Sequence, residues 1–440
     1  MSFNHMPSNW EVKKMPSVVK WSSGGTPKAT EKWYYENGSI PWLVIGDLND
    51  GIVTKSESKI TKLGLENSSA KMIPKGTLLV AMYGSIGKLG ITGIECCTNQ
   101  AIAYAKELYG VTTEYLYYYM AMMKPKLISK GKGGTQKNIS QSVLNSLDVI
   151  VPPLPEQRRI VARIEELFSE LDSGVETLKK TKQQLAVYRQ AVLKAAFEGR
   201  YTGWWRKMQH RAIAERDLES IKIREAIYKD ISGDENEIKL SLPTGWIKIR
   251  IGDVFIVEVG STPSRRVPEY WNGDVAWVSS GEVHFNAISE TEERITKRGL
   301  EHASTKVHPI GTIMLAMIGE GKTRGQAAIL DIPAAHNQNT AAILVSKTPC
   351  QPRYIYYFLQ LNYENTRRVG SGNNQKALNK ERVRALRFPF ASFEEQKLIV
   401  SEIESRFSVC DSIEKSVDAA LQQAESMRHS ILKKAFEGGL

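Results

Sequence analysis

Three groups of residues have the type and spacing that chemistry needs, and each points to a different chemistry. Gly321-Lys322-Thr323 ends like a phosphate-binding loop, where main-chain N–H groups and a lysine cradle phosphates. The first glycine of that pattern should stand at 316, which is Ala316, and TRGQAAIL beyond it suits a turn and a strand, so the pattern fails. Asp47, Glu57 and Lys59 have the spacing of a metal-dependent nuclease, with two carboxylates for a cation and a lysine for developing charge. Short acidic patterns of this kind arise often by chance. The seven histidines form no metal-spaced pair, and Cys96, Cys97, Cys350 and Cys410 show no C-x-x-C spacing. The N-P-P-[FYW] segment that holds a flipped base in amino methyltransferases is also missing. No catalytic residue, metal or cofactor is therefore expected in this chain.

Other residues fit binding better than catalysis. YGSIGKLG (83–90) and IGEGKTRG (318–325) each follow a strand-like run, and Lys88, Lys322 and Arg324 can reach phosphates or guanine edges, with Ser85 a lesser donor. A second pair, GKGGTQKNIS (131–140) and GSGNNQKALN (370–379), offers Gln136 and Gln375 for an adenine edge and Lys137 and Lys376 for the backbone. The alternative is that these glycines serve tight turns and the lysines are simply solvated. Tyr115–Tyr119 and Tyr354–Phe358 look like stacking platforms, but their helical spacing argues for core.

The elements that must position these loops repeat. The second half echoes the first at an offset of 235 to 239 residues: Gly24–Pro27 matches Gly260–Pro263, Trp42 matches Trp277, and Asn99-Gln100 matches Asn337-Gln338. VLKAAFEG (192–199) matches ILKKAFEG (431–438). Each copy opens with about 150 residues of short strands, Gly/Pro/Asn turns and one aromatic helix, an α+β domain. A long helix follows. Ile164, Leu171, Leu178, Leu185 and Val192 recur every seven residues, as do Ile403, Cys410, Val417, Ala424 and Ile431, the mark of a coiled-coil seam. Ile160, Leu167, Tyr188 and Ala195 fill the companion positions, and Ala419, Ala420 and Ala424 could face the leucines. The expected fold is two similar α+β domains separated by two antiparallel helices that form a coiled coil, an internal repeat with a pseudo-twofold axis. The boundaries are 1–152 for the first domain, 153–240 for a spacer and connector, 241–390 for the second domain and 391–440 for the last helix.

In 440 residues the hydrophobic share is 42% and the charged share 24%, a profile that excludes intrinsic disorder. No apolar run is long enough to span a membrane, and MSFNHMPSNW has no secretory pattern, so a cytoplasmic protein is expected. The net charge is +11. Residues 1–150 hold 17 basic and 11 acidic side chains and residues 241–390 hold 19 and 13, so the excess belongs to the two α+β domains. Two basic domains at a fixed spacing suit a duplex with two recognition patches. Trp204, Trp205 and Arg206, in a connector without a second copy, could form a partner contact or tuck into the chain's own fold.

Two variable domains, each followed by P-x-x-E-Q-[RK] or its degenerate form and a helix ending [LI]-K-x-A-F-E-G, closely resemble the specificity subunit of type I restriction–modification systems. VPPLPEQRRIVARIE (151–165), FEEQKLIVSEIE (393–404) and the AFEG ends at 196–199 and 435–438 carry the resemblance, which covers the whole chain. The second copy departs where Pro389-Phe390-Ala391-Ser392-Phe393 replaces the Pro-Pro-Leu-Pro approach. The resemblance implies a non-catalytic reader of double-stranded DNA, with each target-recognition domain reading one half of a split site and the helices setting the unread gap. It also implies two methyltransferase subunits with S-adenosylmethionine, which methylate adenine, and two restriction subunits driven by ATP with Mg²⁺. A stand-alone nuclease and a coiled-coil protein scaffold are the competing functions.

Overall fold

The computed structural model describes residues 7–132, 137–208, 213–221, 238–319, 321–368 and 378–440. It divides into two compact units, residues 1–180 with 417–440 and residues 181–416.

Unit 1 contains β1 (Glu11–Lys14), β2 (Val19–Ser23), β3 (Ile40–Leu43), β4 (Gly51–Val53), β5 (Lys59–Ile60), β6 (Leu78–Ala81), β7 (Leu89–Thr92), β8 (Cys97–Thr98), β9 (Ile102–Leu108) and β10 (Asp148–Val151). They form a five-stranded sheet in the order β2-β9-β6-β7-β4, a three-stranded sheet β5-β3-β8 and the pair β1-β10. The apolar run of β6 and the first four residues of β9, Ile102–Ala105, are buried on both faces, whereas Lys106 and Glu107 at the far end of β9 are exposed. Helix α1 (Thr113–Ser129) carries Tyr115, Leu116, Tyr119 and Met120 into the core. The aromatic stretch is therefore core, as its spacing predicts.

Unit 2 repeats the topology with β11 (Ile247–Arg250), β12 (Val257–Val259), β13 (Trp271–Val278), β14 (Ala287–Ile288), β15 (Glu293–Ile295), β16 (Ile313–Ala316), β17 (Ala327–Leu330), β18 (Ala335–His336), β19 (Thr340–Ile343) and β20 (Arg387–Phe390). The orders are β12-β19-β16-β17-β14, β15-β13-β18 and β11-β20. The matched turns have one physical origin in both copies. A Cβ on Gly24 would stand 2.0 Å from the Thr98 carbonyl oxygen, and one on Gly260 would stand 1.9 Å from that of His336. Only glycine lets the backbone approach so closely.

Two 44-residue helices complete the chain, α2 (Leu154–Phe197) and, after α3 (Pro352–Leu361) and α4 (Tyr363–Arg368), α5 (Phe393–Phe436). In unit 1, Leu167, Leu171 and Leu178 of α2 share a groove with Ile431, Met427, Ala424 and Ala420 of α5, so the segments run antiparallel. In unit 2, Arg189 bonds Asp411 at 2.6 Å and Glu414 at 3.2 Å, and its guanidinium lies over Phe407. The seven-residue repeat marks the buried seam at Ile164, Leu185, Val192, Ile403, Cys410, Val417 and Ala424. Tyr188 is half exposed at the edge of the seam, where it lines a groove with Leu185, Val409 and Cys410, and Ala419 is exposed.

The family-like motifs at the helix ends now have a mechanical role. Gln157 is fully buried; its amide donates to the Pro152 and Gly110 carbonyls and its oxygen accepts from Thr112 N–H at 3.0 Å, which ties the start of α2 to the start of α1. Gln396 does the same with Ala391 and Gln351 N–H. At the far ends, Phe436 wedges between Tyr115 and Tyr119 in unit 1 and Phe197 packs on Tyr354 and Phe358 in unit 2. Each AFEG phenylalanine thus completes the core of the copy other than the one its helix leaves.

Candidate nucleic-acid interface

In unit 1 the chain leaves β6 at Met82, turns through Tyr83–Lys88 and returns as β7. Gly84 and Gly87 supply the positive φ values the turn requires, 61° and 74°. Lys132 and Asn138 exchange main-chain hydrogen bonds of 3.0 and 2.9 Å, which pinches off the glycine loop between them. That loop is stitched to the first one: Gly84 N–H donates to Lys137 O at 3.1 Å and Ile139 N–H to Met82 O at 2.9 Å. Two segments some fifty residues apart in sequence become one surface.

Unit 2 builds the same junction. Gly325 N–H donates to Ala316 O at 2.8 Å to close the 318–325 turn, and Leu378 N–H donates to Met317 O at 3.0 Å. The turn is braced from α4, where Arg367 Nη2 donates to Gly321 O at 2.7 Å and the Tyr363 hydroxyl donates to Lys322 O. Unit 1 is braced by different chemistry. Lys124 pairs with Asp50 at 3.0 Å, Asp50 accepts Leu89 N–H at 2.8 Å, and the Tyr117 hydroxyl donates to Asp50 O. Burial and the Asp50 charge push the Tyr117 phenol up, so it remains a donor.

Of the residues singled out in the sequence, Ser85, Lys137 and Lys322 are exposed on this junction and Lys88 is half-buried. Arg324 differs from the expectation: its Nη2 donates to Arg367 O at 2.8 Å and its Nε is buried, so the guanidinium faces α4 more than solvent. Gln136, Gln375 and Lys376 lie outside the described residues. Lys126 and Lys130, in and just after the last turn of α1, and Lys132 are exposed beside the same loop and were not anticipated. The signal for them was available, since a helix that ends in lysines and runs directly into a glycine loop brings its cations there.

The nuclease pattern resolves into structure. Asp47 accepts N–H bonds from Val44 at 2.8 Å and Glu57 at 3.0 Å, and Glu282 accepts the equivalent pair from Ser279 at 2.6 Å and Glu292 at 2.9 Å. The first carboxylate of each supposed triad is a turn clasp. Among the described residues no cluster of His, Cys, Asp or Glu is arranged to hold a metal. After Gly321-Lys322-Thr323 the chain enters strand β17, not the helix a phosphate-binding loop needs.

In the connector, Trp204 is 56% exposed, but Arg206 is turned inward. Its guanidinium bonds the Glu395 carboxylate, Gly199 O and Thr202, and lies 5.6 Å from the Trp246 ring. Trp246 Nε1 donates to the other Glu395 oxygen at 2.8 Å, so this buried carboxylate is fully partnered.

A duplicated α+β domain that presents stitched, lysine-bearing loops carries surfaces of the kind that bind nucleic acid. The family description "Type I restriction modification DNA specificity domain" matches this chain twice, at residues 7–185 and 243–423, and the chain belongs to that family. It is 26% identical to the MjaIX specificity subunit of Methanocaldococcus jannaschii, over 81% of this chain and 77% of the relative. It is 21% identical to the EcoKI specificity subunit of Escherichia coli K12, over 100% and 91%. Among solved structures, a chain from work on complex assembly and conformational transition of the type I R-M system superposes with a TM-score of 0.72 at 15% identity over 99% of both chains. The HsdS subunit from Thermoanaerobacter tengcongensis gives 0.55 at 16% identity, over 99% of this chain and 98% of that one. The chain is thus a DNA sequence-recognition subunit, non-catalytic itself, of a type I restriction–modification system, with methyltransferase and restriction subunits as its partners. No helix among the described residues is long and apolar enough to cross a membrane.

Proposed function

We propose that each α+β domain reads one half of a bipartite, asymmetric duplex site through its stitched loop junction. Lys88, Lys137 and Ser85 serve the first half and Lys322 the second, with Gln136, Gln375 and Lys376 completing the two surfaces. The observation that carries this is the same junction built twice from loops of different sequence, Ile139 to Met82 in one copy and Leu378 to Met317 in the other. Equal geometry with unequal side chains is what two different half-sites require.

The recognition domains span 1–152 and 241–390; the helical regions 153–240 and 391–440 set the unread gap and receive partners. Two methyltransferase subunits, which bring S-adenosylmethionine and methylate adenine N6, and two restriction subunits using ATP and Mg²⁺ complete the complex in the cytoplasm. Trp204, exposed beside Trp205, offers these partners an aromatic contact, with Arg206 holding the turn beneath it. Single-molecule sequencing of adenine methylation in cells with and without this gene tests the assignment. A split motif that vanishes with the gene supports it, and an unchanged methylome refutes it.

A further inference from the structure

Beyond the lysines, the two copies share one further feature at the junction. Tyr83 and Ile318 occupy equivalent positions, the first residues of the matched turns YGSIGKLG and IGEGKTRG. Each follows a strand whose residues are all buried, yet Tyr83 is 45% exposed and Ile318 43%. The preceding residue is pinned in both copies by the loop stitch, Met82 O accepting Ile139 N–H and Met317 O accepting Leu378 N–H. The backbone at each site is therefore held while a large apolar side chain is presented to water. A single exposed apolar residue needs no explanation, but the same exposed position in two copies whose turns share little besides glycines does.

Their surroundings indicate what covers them. Lys132 and Lys137 are exposed across the stitch from Tyr83, and Lys322 lies in the same turn as Ile318. An apolar centre beside cations suits a duplex groove, where lysines meet phosphates and an apolar group meets a base edge. The one apolar feature of base edges in the major groove is the thymine C5-methyl. We propose that Tyr83 and Ile318 are specificity-determining residues, each packing on a pyrimidine C5 edge in the half-site read by its own domain. The inference rests on the interface proposed above. An aromatic ring covers more of the methyl and its neighbour than a branched aliphatic chain does, so the two residues favour different local sequences.

The test uses the assembled methyltransferase complex bearing Tyr83→Ala, Ile318→Ala, Lys137→Ala or Lys322→Ala. Motifs are read by methylation sequencing, and binding is then measured against salt on duplexes with deoxyuridine in place of individual thymines. Tyr83→Ala is expected to relax one position in one half-site and Ile318→Ala one position in the other. Discrimination at that position should drop about 5- to 100-fold, and loss of the methyl should no longer matter there. The salt slope should be unchanged in these two variants and fall by about one in each lysine variant. If the lysine variants lower the slope while both apolar variants read as strictly as the parent, or both relax the same half-site, the inference is wrong and the interface stands. If the lysine variants leave the slope unchanged, the interface itself is refuted and the inference goes with it.

Discussion

Phe436→Ala should destabilise unit 1 selectively. The Phe436 side chain is fully buried with its ring centroid 5.1 Å from Tyr119 and 5.2 Å from Tyr115, both edge-on. Removing a buried phenylalanine costs about 3–5 kcal/mol through lost transfer energy and the cavity left behind. Edge-on ring pairs add about 0.5–1.5 kcal/mol each beyond their area, which puts this site at the upper end, about 4–5 kcal/mol. A domain is typically stable by only about 5–15 kcal/mol, so much of the reserve of unit 1 goes. Hydrogen exchange on the assembled complex provides the assay. Amides of α1 (Thr113–Ser129) should lose protection roughly a thousandfold, while those of α3 (Pro352–Leu361) keep theirs. Phe197→Ala should do the reverse, because Phe197 packs on Tyr354 and Phe358 in unit 2. Equal effects of either variant on both helices, or a loss below about 1 kcal/mol, would refute the assignment of each AFEG phenylalanine to the core it completes.

Arg206→Ala strips Glu395 of its buried cation and should lower the stability of unit 2 by about 3–5 kcal/mol in a denaturant titration, with partial rescue by Glu395→Gln; Trp204→Ala should change stability by less than about 0.5 kcal/mol. A second expectation concerns acid. Burial and the neighbouring His308 push the His336 imidazole down to about 3, and burial likewise lowers His308, which also faces Glu258, Lys306 and Lys347. Both bind fewer protons folded than unfolded, so their contribution is intact above about pH 6.5 and is lost as pH falls toward 3. At pH 5 the penalty at His336 alone is about 2 kcal/mol, and the unit 2 transition should fall accordingly. Replacing His308 by Ile and His336 by Thr, the residues at the matching positions of unit 1 (Ile73 and Thr98), should flatten that dependence; an unchanged pH profile would count against it. Finally, Glu57→Gln should leave stability and adenine methylation intact, whereas Asp47→Ala, which frees two N–H groups, should cost unit 1 about 1–2 kcal/mol by thermal melting. Loss of restriction with Glu57→Gln in an otherwise stable complex would revive the nuclease alternative.

Much of the architecture was legible because it depends on local patterns. The seven-residue spacing of Ile164 through Val192 requires a long seam, since α-helical geometry returns a side chain to the same face at that interval. The match of Gly24–Pro27 with Gly260–Pro263 required one topology used twice, because a Cβ at either first glycine would collide with a carbonyl. The aromatic helices could be assigned to core from their spacing alone. Charge segregation by segment was also available, since it is a count.

Tertiary structure decided what the side chains do once distant segments meet. Nothing local shows that Lys137 lies against Gly84, since that bond joins loops separated by three strands and a helix. Asp47 and Glu57 kept a nuclease spacing in sequence, yet the Asp47 carboxylate is occupied by two backbone donors, one of them ten residues away. Arg206 and Arg324 were cations of unknown direction until Glu395 and α4 turned them inward. Sequence alone determined periodicity, repetition and composition, because each follows from residues near one another in the chain. The direction of a flexible charged side chain depends on which acceptors the fold brings within about 3 Å, and folding alone sets that.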